Sequence, residues 1–426
     1  MKPSDFVPSP SHQTLFPVRS YPAILILPLV AKLLSKRHNP SAEQRHFKVP
    51  QNYHNLGLVA LVARLLNKRH NLSAGQRHCR VLQNYHKFAL VALGIGLSAC
   101  QTEQDARETE TRSEATVIAF GSCNRQDKPQ PLWDDILATQ PERWVWLGDN
   151  IYGDTDDMAV LKAKYKQQNA NAGYQKLKSA VPMIGIWDDH DYGTNDGGRN
   201  YAHREASQQL FHDFIGTPPD AERRQRPGIY HTYDHTTRSG KKITFILLDT
   251  RYFKDDITRT SAGYQPDSTA QLLGEEQWKW LSETFRKSTA DLHIVATSVQ
   301  LIPEEHKYEK WANFPTERQR FLDSLQHWKP APVLLLSGDR HLAEISKLEL
   351  PELPYPLYEI TSSGLTHAGT IAEEPNRHRI SALIHSQLNF GVLKIYADEA
   401  PLRVVGQVRG EGNEVLAQVD MQLSVR

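Results

Sequence analysis

From Thr116 onward, short apolar runs recur along the chain, and each stops abruptly at polar residues. TVIAF stops at Gly121-Ser122-Cys123-Asn124, and RWVWL at Gly148-Asp149-Asn150-Ile151-Tyr152. PMIGIW meets Asp188-Asp189-His190-Asp191, KITFILL meets Asp249-Thr250-Arg251, LHIVATS meets Val299-Gln300, and PVLLLS meets Gly338-Asp339-Arg340-His341. Continuous apolar runs bounded by glycine predict buried strands. Between them, SQQLFHDFIG and GEEQWKWLSETFRKS carry helical patterns, with Trp278, Trp280 and Phe285 expected to cover the sheet. This alternation predicts an α/β fold whose sheet is covered on both faces. The tail from Phe390 to Val425 alternates apolar and polar residues around Glu-Ala-Pro and Glu-Gly-Asn turns, which predicts two or three antiparallel strands.

In such sheets a site forms beyond the carboxyl ends of the strands, which is where the polar clusters fall. The carboxylates after Trp187 should repel one another and are costly to desolvate, so something positive should hold them there. Taken singly, each cluster has an ordinary explanation. Gly-Asp after a strand is commonly a turn or a helix cap. A lone cysteine is commonly a small hydrophobe, and a lone histidine a satisfied structural residue. Together, four clusters supply thiolate, phenol, carboxylate and imidazole donors, enough for two or three cations.

The ordered set GSC (121–123), GDNIY (148–152), WDDHD (187–191) and GDRH (338–341) resembles the PhoD-like alkaline phosphatases, a branch of the calcineurin-like metallophosphoesterases. The resemblance extends over about Thr116 to Val392. It implies a four-layer α/β/β/α sandwich of two mixed sheets, finished by the C-terminal antiparallel strands. It also implies Fe³⁺ bound by Cys123 and Tyr152, metals held or bridged by Asp149 and Asp189, and a site completed by His341. Two departures from the wider superfamily stand out. Asp189-His190-Asp191 replaces Asn-His-Asp/Glu, and Gly338-Asp339-Arg340-His341 replaces Gly-His-x-His. In both, at Asp189 and Asp339, a carboxylate takes the place of a neutral ligand, which favours a hard cation such as Ca²⁺ over Zn²⁺ or Mn²⁺. That agrees with the mixed iron and calcium site of the family.

The implied activity is phosphate-ester hydrolysis. Two cations about 3.5–4 Å apart can lower the pKa of a bridging water, and the metal-bound hydroxide then attacks phosphorus in line. His190 is the candidate for protonating or orienting the leaving group, Asn150 for contacting phosphate, and Arg340 for a further catalytic contact. Arg125, Arg251 and Arg340 each carry a fork suited to phosphate, and each is equally able to pair with surplus carboxylates. His367 in ITSSGLTHAG, which follows Gly364, is a substrate-binding candidate or a loop cap. Asn195 and Asp196 read as turn formers or outer calcium ligands. The same site is open to diesters, including phospholipid head groups. The alternative of another class is a non-catalytic metal-binding lipoprotein. A Ser-His-Asp hydrolase is excluded because no G-x-S-x-G element occurs.

Charge divides the 426-residue chain. Residues 1–100 hold 13 Lys/Arg against 2 Asp/Glu, whereas 101–426 hold 37 against 47. The acidic part lacks the basic stripe of a nucleic-acid binder, so no nucleic-acid partner is expected. Three cysteines (Cys79, Cys100 and Cys123) make no disulfide framework.

The basic part contains a repeat. Val30–His54 returns as Val62–His86 with 18 of 25 positions identical. Two copies are too few for a stacked array. Residues 1–86 therefore read either as translation of duplicated DNA upstream of a true start, with Val81 or Leu82 as initiator, or as a basic tail without structure. Residues 87–100 combine basic Lys87, an apolar stretch from Phe88 to Leu97, and Leu97-Ser98-Ala99-Cys100. That order is the architecture of a secretory signal. Its ending resembles the bacterial lipoprotein box, which implies cleavage before Cys100, lipid on its sulfur and a place in the cell envelope facing the periplasm or exterior. Residues 101–115 then read as a polar tether, too short for the N-terminal sandwich domain of larger family members, and 116–426 as the metallophosphatase domain.

Overall fold

A computed structural model describes residues 114–424, so the repeat, the signal-like segment and Cys100 lie outside the described residues. The six apolar runs that stop at polar clusters all form strands: β1 (Thr116–Gly121), β2 (Arg143–Leu147), β3 (Met183–Ile186), β5 (Lys242–Leu247), β8 (Leu292–Ala296) and β9 (Val333–Ser337). They are joined by β4 (His231–Thr236), the short β6 (Arg259–Thr260) and β7 (Gly263–Tyr264), β10 (Ala343–Leu348) and β11 (Leu357–Ser362). The tail forms β12 (Phe390–Tyr396), β13 (Leu402–Arg409) and β14 (Val415–Leu423). The helices are α1 (Trp133–Ala138), α2 (Met158–Asn169), α3 (Ala172–Ala180), α4 (Asp189–Tyr192), α5 (Arg204–Ile215), α6 (Gly274–Lys287) and α7 (Pro315–Trp328).

The strands build two six-stranded mixed sheets, ordered β14-β13-β12-β1-β2-β3 and β10-β11-β9-β8-β5-β4. β1, β2 and β3 run parallel, and so do β11, β9, β8 and β5. Antiparallel β12 seats the tail against β1, with Gly391 directly opposite Phe120.

Burial separates the layers. Ile118, Phe120, Val145 and Leu147 of the first sheet pack with Phe245, Leu247, Ile294 and Leu336 of the second, forming the core between the sheets. On the outer face of the first sheet, Ala119, Trp144 and Trp146 meet Trp133, Leu161, Tyr174 and Phe214 from α1, α2, α3 and α5. On the outer face of the second, Ile246, Val295 and Leu335 meet Trp278, Leu281, Phe285 and Phe321 from α6 and α7. Each central strand is thus apolar on both faces because both are covered. This is the four-layer α/β/β/α sandwich expected, with Trp278 and Phe285 in the core and Trp280 partly buried beside it. β4 escapes the apolar-run reading because HTYDHT is an edge strand whose residues are only half-buried or exposed.

Candidate metal centre

The carboxyl ends of β1, β2, β3 and β9 meet at one place. The chain leaves three of these strands in a conformation most side chains avoid: Cys123, Asp149, Asp339 and His341 have φ of 59°, 49°, 65° and 52°. Left-handed backbone at non-glycine residues costs on the order of 1–3 kcal/mol each and collects at functional sites. The neighbouring glycines permit the close approach. A Cβ on Gly148 would lie 2.5 Å from Asp188 Cβ, and one on Gly338 would lie 2.5 Å from Ser122 Oγ.

Two donor groups result. In the first, the Tyr152 hydroxyl lies 2.9 Å from His341 Nε2, 3.0 Å from His367 Nε2 and 3.3 Å from Asp149 Oδ2. Cys123 Sγ donates to the same Asp149 oxygen at 3.4 Å and lies 3.0 Å from Ser363 Oγ. In the second, Asp188, Asp189 and Asp339 offer ligand atoms within 4.8 Å of one another, and Asp149, Asp189 and His190 form a set that links the two. His190 Nδ1 is 2.6 Å from Asp154 Oδ1, and its ring lies 4.1 Å from that of Tyr152.

Electrostatics follow from this crowding. Burial pushes the Cys123 thiol up to about 11 and, with Cys123 and Asp149 nearby, raises Tyr152 well above the usual phenol range. Burial holds Asp149 far above the carboxylate range, reinforced by Cys123, and does the same to Asp339, reinforced by Asp188. Burial also lowers His341 to about 4, helped by Arg340, and His367 to about 3, helped by His341. At Asp189 burial opposes the charge, but Arg251 and His190 overcome it and bring the carboxyl down to about 2. At His190 burial likewise opposes the charge, but Asp149 and the Asp154 hydrogen bond overcome it and raise the imidazole to about 10. Thiol, phenol and carboxyl groups that keep their protons when buried give them up to a multivalent ion. Asp149 Oδ1 and Asp188 Oδ2 are buried without a hydrogen-bond partner. The donor set and these orphaned oxygens fit cations.

Cys123, Asp149, Tyr152, Asp189, His190, Asp339 and His341 are therefore brought together, and His367 joins them rather than merely capping its loop. Arg125 stands at the rim, half-exposed, paired with Asp127 and 5.2 Å from the Tyr152 ring. Three expectations need correction. Arg251, expected to bind substrate, is 0% exposed and paired with Asp188 and Glu309. Arg340, expected to act in catalysis, stacks 3.8 Å over the Tyr308 ring and pairs with Glu374 at 2.6 Å. Asn150, expected to contact phosphate, is also 0% exposed. Its amide nitrogen donates to Ile186 O at 2.9 Å and to Asp191 Oδ2 at 2.5 Å, so no donor remains for a phosphate oxygen. In all three cases surplus carboxylates or carbonyls claim the donor first.

Asp196 is a turn residue whose amide N–H donates to Asp189 Oδ2 at 2.7 Å. Asp154 and Ser363 went unnoticed in the sequence. Asp154 follows GDNIY by two positions and had a local signal, whereas Ser363 had none.

The model of the family described as PhoD-like phosphatase matches residues 118–395. The chain belongs to this family. Alkaline phosphatase D of Bacillus subtilis is 23% identical over 250 residues, covering 51% of this chain and 42% of that protein, so the match spans less than half of the relative's length. A solved structure entitled "Structure of PhoD" matches with a TM-score of 0.54 at 18% identity, over 74% of this chain and 73% of that one. That likeness establishes the fold.

Proposed function

We propose that this chain is a metal-dependent phosphoesterase that hydrolyses phosphate esters. One observation carries the reading: thiol, phenol, imidazole and carboxylate donors from separate strand ends converge on one strained, buried point. On this reading Cys123, Tyr152, Asp149 and His341, with His367 beside them, hold Fe³⁺, because the protons that the buried thiol and phenol keep are given up most readily to the more charged ion. Asp188, Asp189 and Asp339 hold Ca²⁺, which takes oxygen ligands. Cations held there would supply Lewis acidity toward water and the phosphoryl oxygens.

The chain's own residues complete the chemistry. His190, oriented through Nδ1 by Asp154, is placed to give a proton to the departing alkoxide. Asn150 holds Asp191, which accepts the Asp188 N–H at 2.6 Å and so fixes the turn carrying Asp188 and Asp189. Arg125 at the rim is the arginine left with an accessible guanidinium for a phosphate oxygen.

The test is metal analysis of the purified protein together with hydrolysis of a chromogenic phosphoester before and after chelation. The Tyr152→Phe variant is expected to lose both a visible phenolate-to-iron absorption band and most of the activity. Full activity in Tyr152→Phe removes the tyrosine from the iron site. Comparing rates on a monoester, a nucleotide diester and a phospholipid assigns the substrate class.

We also propose a lipid anchor at Cys100 that holds the domain at the outer side of a bacterial membrane, supported by the Leu97-Ser98-Ala99-Cys100 ending. Mass analysis of the mature protein is expected to find a diacylated cysteine at its amino terminus. An unmodified Cys100 inside a longer chain rejects the anchor.

A further inference from the structure

Arg251 is among the largest fully buried side chains in the described residues, and it is held from both sides. Asp249 accepts the N–H groups of Arg251 and Tyr252 at 2.9 Å each, and that of Ile229 at 2.8 Å. It also accepts Trp187 Nε1 at 2.9 Å, so the turn carrying Arg251 is tied to the residue just before Asp188. Arg251 Nε donates to Asp188 Oδ1 at 2.5 Å, and Ser298 Oγ donates to the same oxygen at 2.7 Å. Arg251 Nη1 reaches Glu309 Oε2 at 2.5 Å, and Lys254 Nζ lies 3.0 Å from Glu309 Oε1. Lys254 also donates to Asp196 O at 2.9 Å, and the Asp196 N–H donates to Asp189 Oδ2. The chain of contacts closes on itself, from Asp188 through Arg251, Glu309, Lys254 and Asp196 to Asp189. It leaves Asp188 Oδ2 buried and unpartnered within the three-carboxylate set.

We infer that Arg251 is a positioning residue of the metal centre, gripping one oxygen of Asp188 so that the other stays free for a cation shared with Asp189 and Asp339. The inference rests on the phosphoesterase reading above. Two effects of the guanidinium compete. Its charge, taken alone, repels a cation, so its loss would tighten metal binding. Its fork spans Asp188 and Glu309 at once, which a lysine with one shorter point charge does not reproduce. Because the fork fixes the carboxylate, loss of the fork loosens metal binding even where the charge is kept. Partners that orient metal ligands commonly govern affinity by about 10–100-fold.

The experiment is a chelator titration of full-length wild type, Arg251→Lys, Arg251→Gln and Glu309→Gln, with bound metal counted by elemental analysis and folding followed by circular dichroism. Arg251→Lys is expected to release the oxygen-bound metal at about tenfold lower chelator, and Arg251→Gln, which loses the repelling charge together with the fork, at a concentration between that and wild type. Glu309→Gln keeps the Asp188 contact, and it should fold and shift in the same direction by a smaller factor. Arg251→Lys or Glu309→Gln that holds metal as tightly as a metal-loaded wild type overturns the inference alone, as does Arg251→Gln that holds it more tightly. A wild type that takes up no metal refutes the phosphoesterase reading and the inference with it.

Discussion

Asp149→Asn is expected to reduce phosphate-ester hydrolysis by ~10³-fold or more, equivalent to about 4 kcal/mol of transition-state stabilisation. Asp149 belongs to both the thiol-imidazole set and the set containing Asp189 and His190, so a single substitution weakens both. The backbone should tolerate the change, since asparagine accepts the left-handed φ of 49° found here. Stability should move the other way in the metal-free protein. Asp149 is 1% exposed with Oδ1 unpartnered, and burial raises its pKa well above the usual carboxylate range. The folded, metal-free state therefore binds this proton more tightly than the unfolded state, and its stability falls as pH rises above the unfolded value. Asparagine removes that penalty. Stripped Asp149→Asn should melt at or above stripped wild type at neutral pH, in scanning calorimetry alongside the rate assay. A variant that keeps wild-type turnover would remove Asp149 from the centre.

His190→Ala is expected to lower kcat by ~10²–10³-fold on an ester with a poor alkoxide leaving group, and by much less on a nitrophenyl ester. The contrast is the signature of a proton donor, because a nitrophenolate departs without help. Asp154 sharpens the expectation. With its carboxylate 2.6 Å from Nδ1, the imidazole is oriented, and its charge is favoured chiefly by Asp149 and then by the Asp154 hydrogen bond. Equal losses on both substrates would instead assign His190 to shaping the site around Tyr152, whose ring it faces at 4.1 Å.

Much of this centre was legible in the chain because strand periodicity and strand ends are local properties. Cys123, Asp149, Asp189, Asp339 and His341 each follow an apolar run by a few residues, and a sheet collects such ends on one side. The fates of the arginines were not legible. Arg125, Arg251 and Arg340 look alike in sequence, each near a strand end and each able to bind phosphate or pair with an acid. Glu309, which claims Arg251, is 58 residues further along the chain, and Glu374 lies 34 residues beyond Arg340. Asn150 was misread for a related reason: its amide is spent on Ile186 and Asp191, a commitment fixed by how β2 packs beside β3.

The sequence by itself determined which segments become buried strands, that donors for cations stand at their carboxyl ends, and that Asp189 and Asp339 shift the donor set toward oxygen. The first two depend on the order and spacing of residues along the chain, and the third is what the resemblance to the metallophosphoesterases implies. The tertiary structure alone decided that Tyr152, His341 and His367 share one point and that Asp154 orients His190. It also turned two candidate phosphate-binding arginines inward to neutralise carboxylates. A charge removed from water must find its counter-charge among whatever packing brings near, and that choice is made between residues far apart in sequence.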